Sequence, residues 1–275
     1  MSIKIDKFFF TIVLKVCKKK MPTLTFLGTG TSTGVPQIGC KCEVCTSHND
    51  KDKRYRTSAI ITFENGKRLL IDCGPDFRAQ MLSIPFAPID LLLLTHEHYD
   101  HVGGIDDLRP FSYKHPIDIY TNAICCKSLR QRLPYCFVDN KYPGVPQLQL
   151  HTLTKEDVLH WNNIDIYPIE VMHDKLPIFG YRIGSLTYIT DMSSIRVQEL
   201  NKIIGTKTLI INALRREHHH SHQTLDEALH LIKHIQPSVA YLIHMSHSIG
   251  LHDDVESELP PNVHLAYDGL QIEFK

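Results

Sequence analysis

The alternation of apolar and polar stretches predicts strands first, followed by strands that alternate with helices. The predicted strands cover residues 23–27, 58–64, 67–72, 90–95, 186–190, 208–211 and 238–243. Asn65-Gly66 separates the second strand from the third, and this pair suits a two-residue hairpin turn. Residues 90–95 contain a continuous apolar run, which is typical of a strand buried on both faces. The pattern indicates a layered α/β protein.

Two helices are predicted over residues 194–204 and 224–235. In the second helix, Thr224 and Glu227 have the spacing of a capping box, in which each side chain accepts a hydrogen bond from a backbone N–H group at the helix start. Its apolar residues, which share one face, are Leu225, Ala228, Leu229, Ile232 and Ile235. We expect this face to pack on a sheet.

Polar residues follow several of the predicted strands. They are Asp72, His96, Asp191, Asn212 and His244. Layered α/β proteins place functional sites at such positions, because the strand fixes the side chain while the loop leaves it accessible. These strand ends therefore form the first candidate site.

Residues 96–101, His-Glu-His-Tyr-Asp-His, supply four candidate metal ligands in six positions. His96 and His98 are two residues apart, so both imidazoles can point the same way, and Asp100 and His101 follow on the turn. A solvated polar loop is the alternative interpretation. It is disfavoured because a buried strand rarely ends in so many groups that need partners.

A second group of candidate ligands lies in a loop reached through Gly34, Pro36 and Gly39. Cys40, Cys42 and Cys45 place three thiols within six residues. Tetrahedral zinc would need a fourth ligand, for which His48 is a local candidate. Free thiols are the alternative, and disulfide pairing is disfavoured because the number is odd and the three cysteines lie too close together.

Composition narrows the range of partners. Thirty basic residues balance thirty acidic residues in the 275-residue chain, so no general field would hold DNA or long RNA. Eighteen histidines are an excess that favours metal binding. Eight cysteines in a chain of this size are not typical of a disulfide framework, which favours a cytoplasmic location.

Residues 21–275 contain no linker, low-complexity tract or repeat, so we expect a single domain there. Residues 1–20 are interpreted as a dispensable extension, because Met21 opens a clean strand; a short helix or a membrane-touching arm is the alternative. Their apolar run, residues 8–14, is too short to span a bilayer and lacks a secretory cleavage site. Stable membrane association is therefore not expected.

The HxHxDH motif at residues 96–101 resembles that of the metallo-β-lactamase superfamily, and the resemblance extends over residues 21–275. Other site residues of that family are matched in order by Asp72, His173, Asp191 and His244. The resemblance implies an αββα sandwich, in which two mixed sheets lie face to face with helices on the outer faces. It also implies a hydrolase that uses two divalent metal ions, Zn²⁺ or Mn²⁺.

The resemblance further implies which side chains bind each ion. One metal would be held by His96, His98 and His173, the other by Asp100, His101 and His244, and Asp191 would bridge the two. Asp72 would not bind a metal itself but would orient a ligand or the loop.

Within the superfamily, three features are similar to the PhnP-like cyclic phosphodiesterases. These features are Gly28-Thr29-Gly30, the three-cysteine loop, and His247, which lies three residues past His244. The similarity implies that His247 completes a structural Cys₃His zinc site with Cys40, Cys42 and Cys45. His48 remains the local competitor for the fourth position.

The resemblance to this subgroup implies cleavage of a small phosphodiester, cyclic diesters included, by a hydroxide that bridges the metals. His222, just before the second predicted helix, is the candidate for assisting the leaving oxygen. His220 is the second candidate, and Asp100 is also assigned to the catalytic group. We expect His218 and His219 to be solvated. Four arginines are candidates for binding a second phosphate: Arg54, Arg56, Arg215 and Arg216.

Several alternatives stay open. A tRNA 3′-processing nuclease shares the fold and ligands but resembles the chain less, because no Gly/Pro-rich arm and no basic excess are visible. A carrier similar to the PQQ synthesis protein B has a related cysteine loop, but its catalytic ligand set is degraded. Residues 131–150 are either a lid over the site or an ordinary surface loop, and a homodimer is possible.

Overall fold

The computed structural model describes residues 21–138 and 141–275, so the interpretation of residues 1–20 lies outside the described residues. The strands, in chain order, are β1 (Thr23–Gly28), β2 (Ser58–Thr62), β3 (Arg68–Ile71), β4 (Leu91–Leu93), β5 (Ile117–Thr121), β6 (Leu148–Thr152), β7 (Leu159–Trp161), β8 (Ile164–His173), β9 (Leu176–Ile183), β10 (Leu186–Tyr188), β11 (Ser194–Ile195), β12 (Thr208–Asn212), β13 (Val239–Ile243), β14 (Val263–Leu265) and β15 (Gln271–Glu273). The α-helices are α1 (Glu43–Thr46), α2 (Phe77–Leu82), α3 (Tyr99–Val102), α4 (Arg109–Ser112), α5 (Ala123–Arg132), α6 (Val197–Ile203), α7 (Leu225–Ile235) and α8 (His252–Glu258). Short 3₁₀ helices span Asp50–Asp52, Ile105–Leu108, Pro134–Cys136 and His247–Ile249.

The strands form two mixed sheets. The seven-stranded sheet has the order β15-β1-β2-β3-β4-β5-β6, antiparallel up to the β2–β3 pair and parallel from β3 to β6. The eight-stranded sheet has the order β11-β8-β9-β10-β12-β13-β14, with β7 paired to β8. Its strands from β10 through β12 and β13 to β14 are parallel, and the others pair antiparallel.

The sheets face each other across one apolar core, to which Ile71 and Leu93 contribute from one sheet and Tyr181 and Ile210 from the other. Helices cover both outer faces. Side chains of α7 pack on the eight-stranded sheet, and side chains of α2 and α5 pack on the seven-stranded sheet. Burial of each such side chain stabilises the fold by about 1.5–3 kcal/mol. The predicted αββα sandwich is confirmed.

The strand predicted at 90–95 does not alternate between apolar and polar residues, because both of its faces are buried. Leu91 and Leu93 enter the core between the sheets, whereas Leu92 and Leu94 enter the core beneath the outer helices. All four side chains are fully buried, as predicted for a strand covered on both faces.

Two local predictions were wrong. The hairpin at Asn65-Gly66 is not a two-residue turn, because Phe63 pairs with Lys67 and only Gly66 (φ 81°) is left-handed in the loop between them. A two-residue type I′ turn needs positive φ at both central positions. The helix predicted over 194–204 begins at Val197, because Ser194–Ile195 form β11 against Val171 and Met172. Strand pairing there overrides local helix propensity.

The second predicted helix is confirmed. It spans Leu225–Ile235 with Thr224 as its N-cap, and both hydrogen bonds of the capping box are present between Thr224 and Glu227. Its apolar face packs on the eight-stranded sheet. The cap thus fixes where the helix begins, directly after the histidine-rich segment that ends at His222.

Candidate metal centre

Four site residues follow strands whose ends meet at one edge of the sandwich. Asp72 follows β3 and His96 follows β4 in one sheet, while Asp191 follows β10 and His244 follows β13 in the other. Asp72, Asp191 and His244 all take the left-handed conformation, with φ of 59°, 56° and 57°. Such backbone strain costs about 1–3 kcal/mol per residue and clusters at functional sites.

The side chains gather into two neighbouring ligand groups. His96, His98 and His173 form the first group, and Asp100, His101, Asp191 and His244 form the second, with the ligand atoms of each group within 4.8 Å of one another. Oδ2 of Asp191 also lies 3.9 Å from Nε2 of His96. Asp191 therefore stands between the groups, where a bridging ligand would have to lie. The structure thus brings together all seven residues that were predicted as ligands of the metal pair.

Asp72 and Thr95 orient two of the imidazoles. Nδ1 of His101 donates to Oδ2 of Asp72 at 2.7 Å. The Thr95 hydroxyl donates to Asp72 at 2.9 Å and lies 3.0 Å from Nδ1 of His96, from which it can accept. Both rings therefore carry their hydrogen on Nδ1 and leave Nε2 free to bind a metal.

Contacts at Nδ1 also orient the imidazole rings of His173 and His244. Nδ1 of His173 donates to the backbone carbonyl of Ser221 at 2.9 Å. Nδ1 of His244 lies 3.1 Å from the hydroxyl oxygen of Thr57. Sequence reasoning missed Thr57, Thr95 and Ser221. Only Thr95 gave a signal, since it precedes the motif.

Several candidate ligand atoms are buried without a hydrogen-bond partner in the described part of the chain, as expected of atoms that bind a metal. Nε2 of His96, His101 and His244 is buried and has no hydrogen-bond partner among the described residues. Nε2 of His101 instead faces carboxylate oxygens of Asp100 at 3.1 Å and Asp191 at 3.3 Å. A lone pair against two carboxylates is unfavourable unless positive charge lies between them. The residues therefore fit a pair of divalent ions.

The electrostatics of His101 support the same need for positive charge. Burial lowers the pKa of His101, but Asp100, Asp191 and Asp72 outweigh burial and raise that pKa well above its usual value. Burial likewise lowers the pKa of His96 and His244, and in both cases burial prevails. The neutral imidazoles of His96 and His244 beside carboxylates belong to the donor set expected of a zinc or manganese centre.

Two glycines allow the Asp72 loop and the histidine motif to interlock. A Cβ atom on Gly74 would lie 2.1 Å from the backbone oxygen of Asp100, and one on Gly104 would lie 2.1 Å from the oxygen of Gly74. No side chain fits at either contact. This close backbone approach holds Asp72 against the ring of His101.

The cysteine loop forms a separate ligand group with His247. Ligand atoms of Cys40, Cys42, Cys45 and His247 lie within 4.8 Å of one another, and Nδ1 of His247 is 3.2 Å from the sulfur of Cys42. The backbone N–H of Cys45 and the His247 ring lower the pKa of Cys42 to about 6, whereas burial raises that of Cys45 to about 11. A tetrahedral thiolate-binding cation fits this set.

His48, the competitor for the fourth position, is exposed and outside the group that the structure describes. The loop is joined to the catalytic edge by backbone contacts. Thr31 N donates to Met245 O at 3.0 Å, and Met245 N donates to Thr29 O at 3.0 Å. His244 and His247, the histidine of the cysteine group, therefore lie on one short segment, residues 244–247, that is hydrogen-bonded to the N-terminal loop.

His222 reaches the ligand cage from the segment before α7. Its ring centroid lies 4.7 Å from that of His173 and 5.0 Å from that of His244, and its Nδ1 is 3.9 Å from Asp191. His220, the second catalytic candidate, is exposed. His219, expected to be solvated, is instead half-buried with its ring 5.1 Å from that of His222. The expectation for His219 was wrong because the segment folds back onto the cage.

The four candidate arginines have differing surroundings. Arg54 is buried and donates to Thr29 and to the carbonyl of Ala266, so it is committed to the fold. Arg56 pairs with Asp76, Arg216 pairs with Glu258, and Arg215 donates to the carbonyls of Glu217 and His218. Arg132, which sequence reasoning missed, donates to the carbonyl of Glu97 between two ligand histidines at 2.7 Å.

The start of residues 131–150 lies beside the histidine motif, whereas residues 148–150 belong to β6. Besides the Arg132 contact, the Tyr135 hydroxyl donates to Asp106, just past α3, at 2.9 Å. These contacts bring the start of the segment to the rim of the cage.

Two facing mixed sheets with a histidine- and aspartate-lined cage at their common edge define the metallo-β-lactamase class of protein. Residues 67–245 match the family described as “Beta-lactamase superfamily domain”. The structure superposes on a diphosphatase from the PhnP family with a TM-score of 0.86 and 36% identity, over 92% of this chain and 98% of that one. The chain belongs to the beta-lactamase superfamily and, within it, to the PhnP family.

Two further relatives show how far the similarity extends. Zinc-bound PqqB from Methylobacterium extorquens shares the fold alone, at a TM-score of 0.73 and 17% identity over 92% of this chain and 100% of that one. An octanoyltransferase of Porphyromonas gingivalis is 44% identical over 246 residues, which are 89% of this chain. Those residues are 50% of that relative, so the chain spans about half its length.

Proposed function

We propose that this chain is a metal-dependent phosphodiesterase that holds two divalent ions, Zn²⁺ or Mn²⁺, and hydrolyses small phosphodiesters, with cyclic diesters as the first class to test. The observation that carries the proposal is the pair of ligand groups around Asp191, with His222 at their edge. Similarity to a diphosphatase over nearly the full chain supports chemistry at phosphorus.

The ligand residues would bind the ions and hold the reacting groups in place. When bound, such a pair supplies an ionised water and neutralises negative charge on phosphoryl oxygens. Oriented imidazoles of His96, His101, His173 and His244 keep the ligand geometry fixed, because each Nδ1 has its own hydrogen-bond acceptor. Asp100 contributes its carboxylate to the second group.

We assign His222 to the leaving group. Burial lowers the pKa of its imidazole to about 3, so the ring is neutral near pH 7 and can donate a hydrogen bond to the departing oxygen. The exposed His220 has weaker support for this role. Arg132 and Arg215 donate to backbone carbonyls of the histidine segments, and we assign one of them to a second anionic group of the substrate.

The preference for a small anionic substrate follows from charge. The chain has equal numbers of acidic and basic residues, and Arg54, Arg56 and Arg216 are engaged within the fold. Binding of DNA is not expected, and precursor tRNA is the less favoured substrate. Within the described residues, no helix has the length and apolar character needed to cross a membrane.

We further propose that Cys40, Cys42, Cys45 and His247 bind a structural zinc ion, because four ligands close the coordination shell and leave no open position. The described cysteines form no disulfides, which supports the proposal of a cytoplasmic location. We also propose that the protein does not associate stably with membranes. A homodimer is compatible with this proposal, and gel filtration with light scattering would establish the oligomeric state.

The test combines metal analysis with a substrate panel. About three metal ions per chain are expected, whereas one ion per chain would support the PqqB-like carrier. The panel contains bis(p-nitrophenyl) phosphate, cyclic nucleotides, cyclic sugar phosphates, a nucleoside diphosphate, precursor tRNA and an octanoyl thioester. Turnover of diesters that is lost in His96→Ala supports the proposal. Turnover of the thioester alone would overturn the substrate class.

A further inference from the structure

Thr57 is a buried residue that links the N-terminal loop to a proposed metal ligand. It lies directly before β2 and is 1% exposed. Its hydroxyl oxygen is 2.8 Å from the carbonyl oxygen of Gly30 and 3.1 Å from Nδ1 of His244. Thr57 and His244 are 187 positions apart in the sequence, so this contact exists only in the folded chain.

The direction of both hydrogen bonds follows from what each partner can do. The Gly30 carbonyl can only accept, so the single Thr57 hydroxyl hydrogen is directed to Gly30. The lone pairs of the hydroxyl then accept the hydrogen on Nδ1 of His244. Oδ1 of Asp191, which also only accepts, lies 3.1 Å from the same nitrogen. A hydrogen on Nδ1 can be donated to the Thr57 oxygen, and it also avoids repulsion between a nitrogen lone pair and the Asp191 carboxylate.

Gly30 cannot easily move away from this contact. Its N–H donates to Tyr55 O at 2.8 Å, and a Cβ atom on it would lie 2.9 Å from Cβ of Arg54. The backbones of the adjacent Thr29 and Thr31 are hydrogen-bonded to Met245, which follows His244. The hydroxyl of Thr57 thus has a fixed acceptor and holds its lone pairs toward His244.

We propose that Thr57 is a positioning residue that holds His244 in the Nδ1–H tautomer and thereby sets the affinity of the cation site formed by Asp100, His101, Asp191 and His244. The buried Nε2 of His244, which has no partner among the described residues, is the atom left to bind. This inference rests on the proposed metal pair, since the tautomer matters only if Nε2 is a ligand.

The experiment compares Thr57→Val, which removes the hydroxyl at similar volume, with Thr57→Ser, which keeps it. Metal affinity is measured by chelator competition with Zn²⁺, and bound metal is counted by elemental analysis. We expect Thr57→Val to bind the weaker pair ion about 10–100-fold less tightly, and Thr57→Ser to stay close to the wild type. Zinc at the cysteine group reports that each variant is folded.

Three outcomes would overturn the inference. The first is wild-type affinity in Thr57→Val, and the second is equal weakening in both variants, which would assign the effect to packing of the methyl group. In the third, the wild-type protein binds only the ion at the cysteine group. The proposed metal pair would then be wrong, and the proposed role of Thr57 would be wrong with it. This third outcome is distinguishable because it appears without any substitution.

A second measurement does not depend on the folding of a variant. Imidazole ¹⁵N NMR of the zinc-loaded wild-type protein should show His244 protonated at Nδ1 and metal-bound at Nε2, with the signal assigned by its loss in His244→Gln. Protonation at Nε2 would overturn the inference even if Thr57→Val does not fold.

Discussion

Nδ1 of His101 lies 2.7 Å from Oδ2 of Asp72, and both side chains are completely buried. The carboxylate can only accept, so this contact fixes the ring with Nε2 directed at Asp100 and Asp191. Gly74, two residues past Asp72, holds the loop in place through its backbone contact with Asp100. Asp72 therefore affects the proposed metal pair through His101 without being a ligand.

Asp72→Asn should weaken binding of the metal pair by about 10–100-fold. The amide is uncharged and can present its NH₂ group to His101, which removes the acceptor that selects the tautomer. Chelator competition followed by elemental analysis measures the effect. Asp174→Asn changes an exposed carboxylate beside His173 and serves as the control. Equal affinities in the two variants would show that Asp72 does not orient the ligand.

His222→Ala should slow hydrolysis more for substrates whose leaving group is more basic. An alkyl phosphodiester leaves as a basic alkoxide, so we expect a loss of about 10²–10⁴-fold. p-Nitrophenolate is a far weaker base, so bis(p-nitrophenyl) phosphate should be affected less. The exposed His220 provides the control variant, His220→Ala. Equal losses on both substrates, or loss of bound metal, would contradict a role on the leaving oxygen.

Local sequence features predicted much of the fold and of the ligand set. The strand at 90–95 was recognisable because both of its faces are apolar, and α7 because Thr224 and Glu227 mark its start. The dense motif at 96–101 identified one edge of the sandwich. His173, Asp191 and His244 carry no such density, and only their order in a resembling family connected them.

Other features depend on contacts that no local pattern encodes. Ser194–Ile195 form a strand only because Val171 and Met172 offer a sheet edge. His173 is oriented by the backbone carbonyl of Ser221, a group that every residue type possesses. His219 is half-buried because its segment folds against His222. In the first two cases the determining partner is a strand elsewhere in the chain or a backbone atom, whereas His219 depends on how its own segment folds.

His247→Ala should remove one zinc ion per chain and leave the metal pair in place. A structural zinc contributes directly to folding, so we expect the Tm to fall by roughly 5–10 °C. Elemental analysis and calorimetry measure the two effects. His48→Ala, which changes the exposed histidine outside the ligand group, should alter neither. Unchanged zinc content in His247→Ala would exclude His247 as the fourth ligand.

The pH dependence of stability should contain a contribution from His252, which lies outside all three ligand groups. Burial, together with Arg54 and Lys51, lowers the pKa of His252 from 6.5 to about 4, and Nη2 of Arg54 donates to its Nδ1 at 3.1 Å. Between pH 6.5 and about 4, His252 therefore binds a proton in the unfolded chain but not in the folded chain. This contribution to stability is fully present above pH 6.5 and is lost as the pH falls from 6.5 to 4.

His252→Asn should reduce that loss, because asparagine does not titrate while its side-chain oxygen can still accept from Arg54. Denaturant unfolding from about pH 7 to about pH 4 should show a shallower decline in the free energy of unfolding for the variant than for the wild type. His230→Asn, which replaces an exposed histidine of α7, should keep the wild-type slope. Parallel curves for His252→Asn and the wild type would show that burial beside Arg54 does not keep this imidazole neutral.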